Sequence, residues 1–98
     1  VILARARATL LGLAIGDALG NPVELRRRGS FPPLTDIVSG GPSSLLLGQW
    51  TDDTSMALCL ATSLVECGFE PEDQMARYCR LCREGYPSAS GRCFDIGL

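Results

Sequence analysis

Histidine and lysine are both missing from the 98 residues. Without histidine the chain lacks the usual general base near neutral pH and the usual zinc ligand. Without lysine it cannot complete a P-loop, so nucleotide triphosphate chemistry of that type is excluded. Positive charge is also scarce. A net charge of −2 leaves no clustered basic face for nucleic acid, and the one basic run, Arg26 to Arg28, reads as a solvated turn, with anion binding as the weaker alternative. Long apolar runs are lacking too. Arg5 and Arg7 precede the apolar stretch Ala8 to Gly16, as in a secretory signal, but Asp17 argues against one, and the stretch is far short of the roughly 20 residues a membrane span needs. Neither a membrane nor a nucleic acid is expected as a partner. No alternating strand pattern, internal repeat or low-complexity tract is visible.

What is present is a globular composition, 46% hydrophobic and 20% charged, sized for one small domain or a piece of a larger one. The chain opens on Val1 and stops after the stretch Gly91 to Gly97 with no closing helix, so residues 1–98 read as a partial domain of marginal stability on its own. The five cysteines, Cys59, Cys67, Cys79, Cys82 and Cys93, are odd in number and sit in apolar helical pattern. They suit buried, reduced thiols and a reducing, cytoplasmic compartment rather than a disulfide framework. Cys79 and Cys82 form a C-x-x-C without a second pair or a histidine, so metal use is not expected of them.

Helical periodicity organises the chain. Leu3 to Gly20 reads as a helix with Leu10, Leu11, Ala14, Ile15 and Ala18 on one face, and with Gly12, Gly16 and Gly20 on a stripe where another backbone could approach. Asn21 and Pro22 end it. Gly29 to Gln49 is a long loop rich in glycine, proline and serine, with Leu45, Leu46 and Leu47 expected to pack down in part. A second helix from Asp53 to Cys67 is apolar on nearly all faces and reads as central and buried. Gly68 stops it. Pro71 starts a third, amphipathic helix running to Glu84, with Met75, Tyr78, Cys79 and Cys82 inward and the pairs Asp73–Arg77 and Arg80–Glu84 on the wet face. Gly85 ends it, and a loop carrying Arg92 and Asp95 follows. The fold class is all-α.

Three segments could carry chemistry. Trp50-Thr51-Asp52-Asp53-Thr54-Ser55 opens the buried helix. Such residues are ordinary helix caps, yet a cap needs one of them, and two adjacent carboxylates repel each other unless a hard, oxygen-seeking cation such as Mg²⁺ joins them. Both readings stay open. In Gly16 to Glu24, Asp17 is a carboxylate in an apolar helix that must be hydrogen-bonded, paired or metal-linked, and Glu24 lies past the helix break, either solvated or aimed into a cleft. In Gly91-Arg92-Cys93-Phe94-Asp95-Ile96-Gly97 the flanking glycines allow close backbone approach to a ligand; a turn with an exposed Arg92–Asp95 pair is the plainer alternative.

Taken together and in this order, G-D-A-L-G-x-P-x-E at Gly16 to Glu24, W-T-D-D-T-x-M-A-L at Trp50 to Leu58 and G-R-x-F-D-I-G at Gly91 to Gly97 resemble the signatures of the ADP-ribosylglycohydrolase family. The resemblance spans almost the whole chain and implies the N-terminal part of that helical fold. It implies a centre of two Mg²⁺ or Mn²⁺ ions with Thr51, Asp52 and Asp53 as ligands, Glu24 as the catalytic carboxylate beside the scissile bond, and Asp95 and Gly97 holding ADP-ribose. The substrate it implies is an ADP-ribosylated protein or an ADP-ribosyl small molecule, cleaved through an oxocarbenium-like state with metals orienting ribose and water. Two departures stand out. Leu98 replaces the usual asparagine, and the family's D-x-D-[ST] segment is not in this sequence, so the 98 residues alone are expected to be inactive. A non-catalytic ADP-ribose-binding or structural helical module is the alternative.

Overall fold

The computed structural model describes residues 1–97, and the expectation attached to Leu98 lies outside them. The chain folds as two compact units, Val1–Trp50 and Thr51–Leu98, whose described regular structure is helical. Among the described residues no helix is long and apolar enough to cross a membrane.

In the first unit, helix α1 covers Ile2–Gly20, one residue longer than the periodicity predicts, in a stretch of strong helix formers. A short 3₁₀ turn, Asn21–Val23, follows where Pro22 cannot continue the hydrogen-bond ladder. Asn21 is buried. Its Nδ2 donates to the carbonyls of Ala18 at 3.2 Å and Gln49 at 3.3 Å, tying the end of the helix to the far end of the long loop. Within that loop Gly40 and Leu45 exchange a pair of backbone hydrogen bonds of 2.9 Å each. Leu45 is buried while Leu46 and Leu47 stay exposed.

The expected core face of α1 is not formed here. Of its five residues only Ala18 is buried, whereas Leu11 and Ile15 are 61% and 56% exposed. The reason lies in the sequence: Leu3, Leu13 and Ile2 put apolar side chains on other sides as well, and a helix apolar all round needs more covering surface than a 50-residue unit can give. The glycine stripe likewise receives no neighbour, since within this unit no atom lies within 4 Å of where a Cβ at Gly12, Gly16 or Gly20 would project.

The second unit pairs α2, Asp52–Cys67, with α3, Pro71–Glu84. Gly68 and Gly85 end them as expected, both at positive φ. The buried stripe of α2 differs from the expected one. Ser55, Cys59 and Ser63, spaced by four, are buried along with Thr54, while Leu64 and Val65 are exposed. Small side chains at that spacing let α3 come close, and the Cys59 thiol donates to the Arg77 carbonyl at 3.6 Å. Leu81 is the α3 side chain that fills the seam, 1% exposed. Tyr78 and Cys79 are half-buried, and Met75 and Cys82, expected inward, are exposed.

That rotation of α3 follows from Arg77. Its guanidinium bonds Asp73 and Glu66, both at 2.7 Å, bridging the two helices with a side chain only 23% exposed. The i,i+4 pair Asp73–Arg77 therefore forms at the seam and not on the wet face; Arg80–Glu84, at 2.8 Å, does form outside. The Arg77 guanidinium holds the Asp73 carboxyl below the usual carboxylate range. A folded-state pKa below the unfolded one contributes stability above the unfolded value and loses it as pH falls through the folded value. Arg77→Met in the whole protein is thus expected to melt lower at neutral pH and to lose part of the acid-dependent fall in melting temperature. Calorimetric melts over a pH series check this; a variant with an unchanged acid limb contradicts the bridge.

Candidate active site

The head of α2 is built by Thr51, whose extended backbone (φ −103°, ψ −160°) turns the chain into the helix while its carbonyl accepts the Ser55 amide at 3.2 Å. Its side chain makes no capping bond to the helix. The hydroxyl bonds instead to the Asp52 carboxylate. Asp52 and Asp53 occupy the first turn, where the helix dipole favours negative charge. Thr51, Thr54 and Ser55 are all buried, Asp52 is half-buried and Asp53 is exposed, so the helix start presents carboxylates at the surface over a layer of hydroxyls.

The loop from Gly91 to Gly97 comes back to this helix end. Gly97 has φ +84°, and a Cβ there would stand 3.3 Å from Asp52 Oδ2 and 4.0 Å from Met56 Sδ, so the glycine backbone is pressed close to the carboxylate. Its amide donates to Asp95 Oδ1 at 3.1 Å. The Asp95 side chain thus turns onto its own loop, and the loop's curvature is fixed further by the Ser88 and Ser90 hydroxyls, which donate to the Arg92 carbonyl at 2.6 and 3.3 Å. Burial pushes the Asp52 carboxyl above its ordinary range, and the charges of Asp95 and, more weakly, Asp53 push the same way, against the hydrogen bonds from backbone and Thr51. The repulsion of the neighbouring carboxylates is thus felt at Asp52.

Thr51, Asp52, Asp53, Asp95 and Gly97 are therefore gathered in the second unit. Glu24 belongs to the first, exposed on the residue after the 3₁₀ turn, its amide donating to the Asn21 carbonyl at 3.1 Å. Asn21 in the first unit and Met56 in the second shape their surroundings without having been singled out as candidates by the sequence. Asn21, read only as a helix stop, sets the turn that presents Glu24, and an asparagine buried between two apolar runs was the available signal. Met56, inside the W-T-D-D-T-x-M-A-L run, lies against Gly97, a contact between positions too far apart along the chain for spacing to reveal.

The profile of one protein family, ADP-ribosylglycohydrolase, matches residues 1–98. The chain belongs to the ADP-ribosylglycohydrolase family. An ADP-ribosylarginine hydrolase of Pseudomonas putida is 50% identical over 94 residues, which are 95% of this chain and 25% of that protein. The ADP-ribosyl-[dinitrogen reductase] glycohydrolase of Rhodospirillum rubrum is 44% identical over 68 residues, 65% of this chain and 23% of the relative. A solved structure, an ADP-ribosylglycohydrolase-related protein complex, superposes with a TM-score of 0.79 at 56% identity, covering 84% of this chain and 29% of the other. The chain spans about a quarter of the length of the curated relatives it matches. The side chains of Thr51, Asp52 and Asp53 at the head of α2 offer oxygen donors, the type a hard divalent cation takes. Among the described residues no three acidic, thiol or imidazole groups converge to hold an ion by themselves.

Proposed function

We propose that the whole protein hydrolyses the glycosidic bond between ADP-ribose and an arginine side chain of a modified cytoplasmic protein, with a binuclear Mg²⁺ or Mn²⁺ centre. The observation that carries the reading is a half-buried Asp52 at the head of α2, with Gly97 pressed against it and the charges of Asp95 and Asp53 acting on it, in a chain of this family. Arginine is favoured as the acceptor because the relative at 50% identity is an ADP-ribosylarginine hydrolase. Bound there, the metal would orient the ribose hydroxyls and the attacking water and make that water more acidic. Thr51, Asp52 and Asp53 would provide protein oxygens to it. The Gly91 to Gly97 loop, with Asp95 already anchored on the Gly97 amide, would hold ribose hydroxyls against the helix end, and Glu24 would move the proton between water and the leaving guanidine.

The expected result is Mn²⁺-dependent release of ADP-ribose from an ADP-ribosylarginine protein by the whole protein, abolished by chelation and restored by added metal. The isolated 98 residues are expected to release none. ADP-ribose binding by the whole protein without turnover, unaffected by chelation, would instead leave a binding module, and turnover by the isolated chain would contradict the assignment of the remaining ligands to other sequence.

A further inference from the structure

Away from the helix head, α3 and the loop after it bring two thiols together. Cys82 is exposed on the last turns of α3, and Cys93 is half-buried in the loop. Cys82 is close enough to Cys93 for its charge to act on that thiol. Backbone packing explains the meeting independently: Gly85, about one turn beyond Cys82, is left-handed and lies directly against the Arg92 backbone and the Gly91 carbonyl, which delivers residue 93 to the end of α3. The serine hydroxyls on the Arg92 carbonyl hold the loop in that course.

We propose that Cys82 and Cys93, and not the C-x-x-C pair Cys79 and Cys82, form a reversible dithiol–disulfide couple that clamps the Gly91 to Gly97 loop onto α3. A hydroperoxide is the oxidant class required. The exposed Cys82 thiolate attacks the peroxide oxygen, the O–O bond breaks, and an alcohol leaves with a proton, giving a sulfenic acid on Cys82. Cys93 then attacks that sulfur, the S–O bond breaks, and water leaves with the Cys93 proton. Two thiols are oxidised and one peroxide is reduced. Burial and the neighbouring Cys82 push the Cys93 thiol up, which disfavours it as the first nucleophile, and the exposure of Cys82 gives the peroxide access to that thiol first. The thiol of Cys93 also donates to the Asp95 carbonyl at 3.5 Å. Oxidation exchanges that hydrogen bond for a covalent tie two residues from Asp95. The couple stands whether or not the neighbouring site cleaves ADP-ribosyl bonds.

Tryptic peptide mapping of the whole protein after mild hydrogen peroxide treatment and thiol alkylation tests it. Cleavage after Arg80, Arg83 and Arg92 puts Cys79, Cys82 and Cys93 on separate peptides. The expected product links Leu81–Arg83 to the peptide beginning at Cys93, lighter by two hydrogens and released by dithiothreitol, with loss of alkylation at both cysteines and full alkylation at Cys79. Amide exchange across Gly91 to Gly97 should slow on oxidation, and Cys82→Ser should abolish both changes. A Cys79–Cys82 link, or oxidation stopping at a sulfinic acid on Cys82 with Cys93 still alkylated, overturns the proposal, and the wild-type map decides even if the variant folds poorly.

Discussion

The whole protein carrying Asp52→Asn is expected to lose ADP-ribose release by about a thousandfold while melting at or above the wild-type temperature in metal-free buffer. The loss follows if Asp52 holds the ion: charge stabilisation by a bound metal is worth several kcal/mol, and each ~1.4 kcal/mol is tenfold in rate. The gain in stability follows from the direction of the Asp52 shift. A carboxyl pushed up by burial and by the charges of Asp95 and Asp53 is one whose ionisation the fold disfavours. Its folded-state pKa lies above the unfolded one, so the fold is relatively more stable at low pH and loses that advantage as pH rises through the window between the two values. Asparagine keeps the shape and removes the charge. Mn²⁺ should raise the wild-type melting temperature and leave the variant unmoved, because only a ligand bound to the folded state shifts the transition. A variant that melts lower than wild type, or still responds to Mn²⁺, would show that Asp52 is a structural cap.

This opposition between stability and function is also where the sequence was most informative. Thr51, Asp52 and Asp53 are adjacent, so their crowding needs no fold to be seen; only the choice between cap and cation had to wait, and the Thr51 hydroxyl, bonded to Asp52 and not to the helix, bears on it. Helix ends were legible for the same local reason: Pro22, Gly68, Pro71 and Gly85 act on their own backbone. Faces were not. Ser55, Cys59 and Ser63 line the α2 seam ahead of Leu64 and Val65 because close approach of α3 is decided by side-chain size across the interface, and Arg77 enters that seam because Glu66 waits on the other helix. Neither partner is visible from one helix alone. Asp95 and Gly97 joined the site through the resemblance to the family, and the structure adds what motif matching cannot, namely that Gly97 is pressed against Asp52.

Gly85→Ala is expected to be among the most damaging single substitutions in the second unit, lowering stability by at least about 2 kcal/mol and displacing the Gly91 to Gly97 loop. Two effects combine. At φ +77° an L side chain is strained, and the added Cβ would run into the Cα and N of Arg92 and the carbonyl of Gly91. These are backbone atoms, so no rotamer change relieves the contact; the loop itself has to move. Gly29 separates the two effects. It has the same φ of +77° with nothing within 4 Å of its Cβ position, so Gly29→Ala should show the backbone strain alone, about 1 kcal/mol. The excess at Gly85 measures how tightly the loop is seated. Because that loop carries Asp95 and Gly97 to the head of α2, the whole protein with Gly85→Ala should also lose ADP-ribose release even below its lowered melting temperature, whereas Gly29→Ala should keep it. Equal stability losses at the two glycines would mean that the loop rests only lightly on α3, and the site geometry derived from it would have to be abandoned.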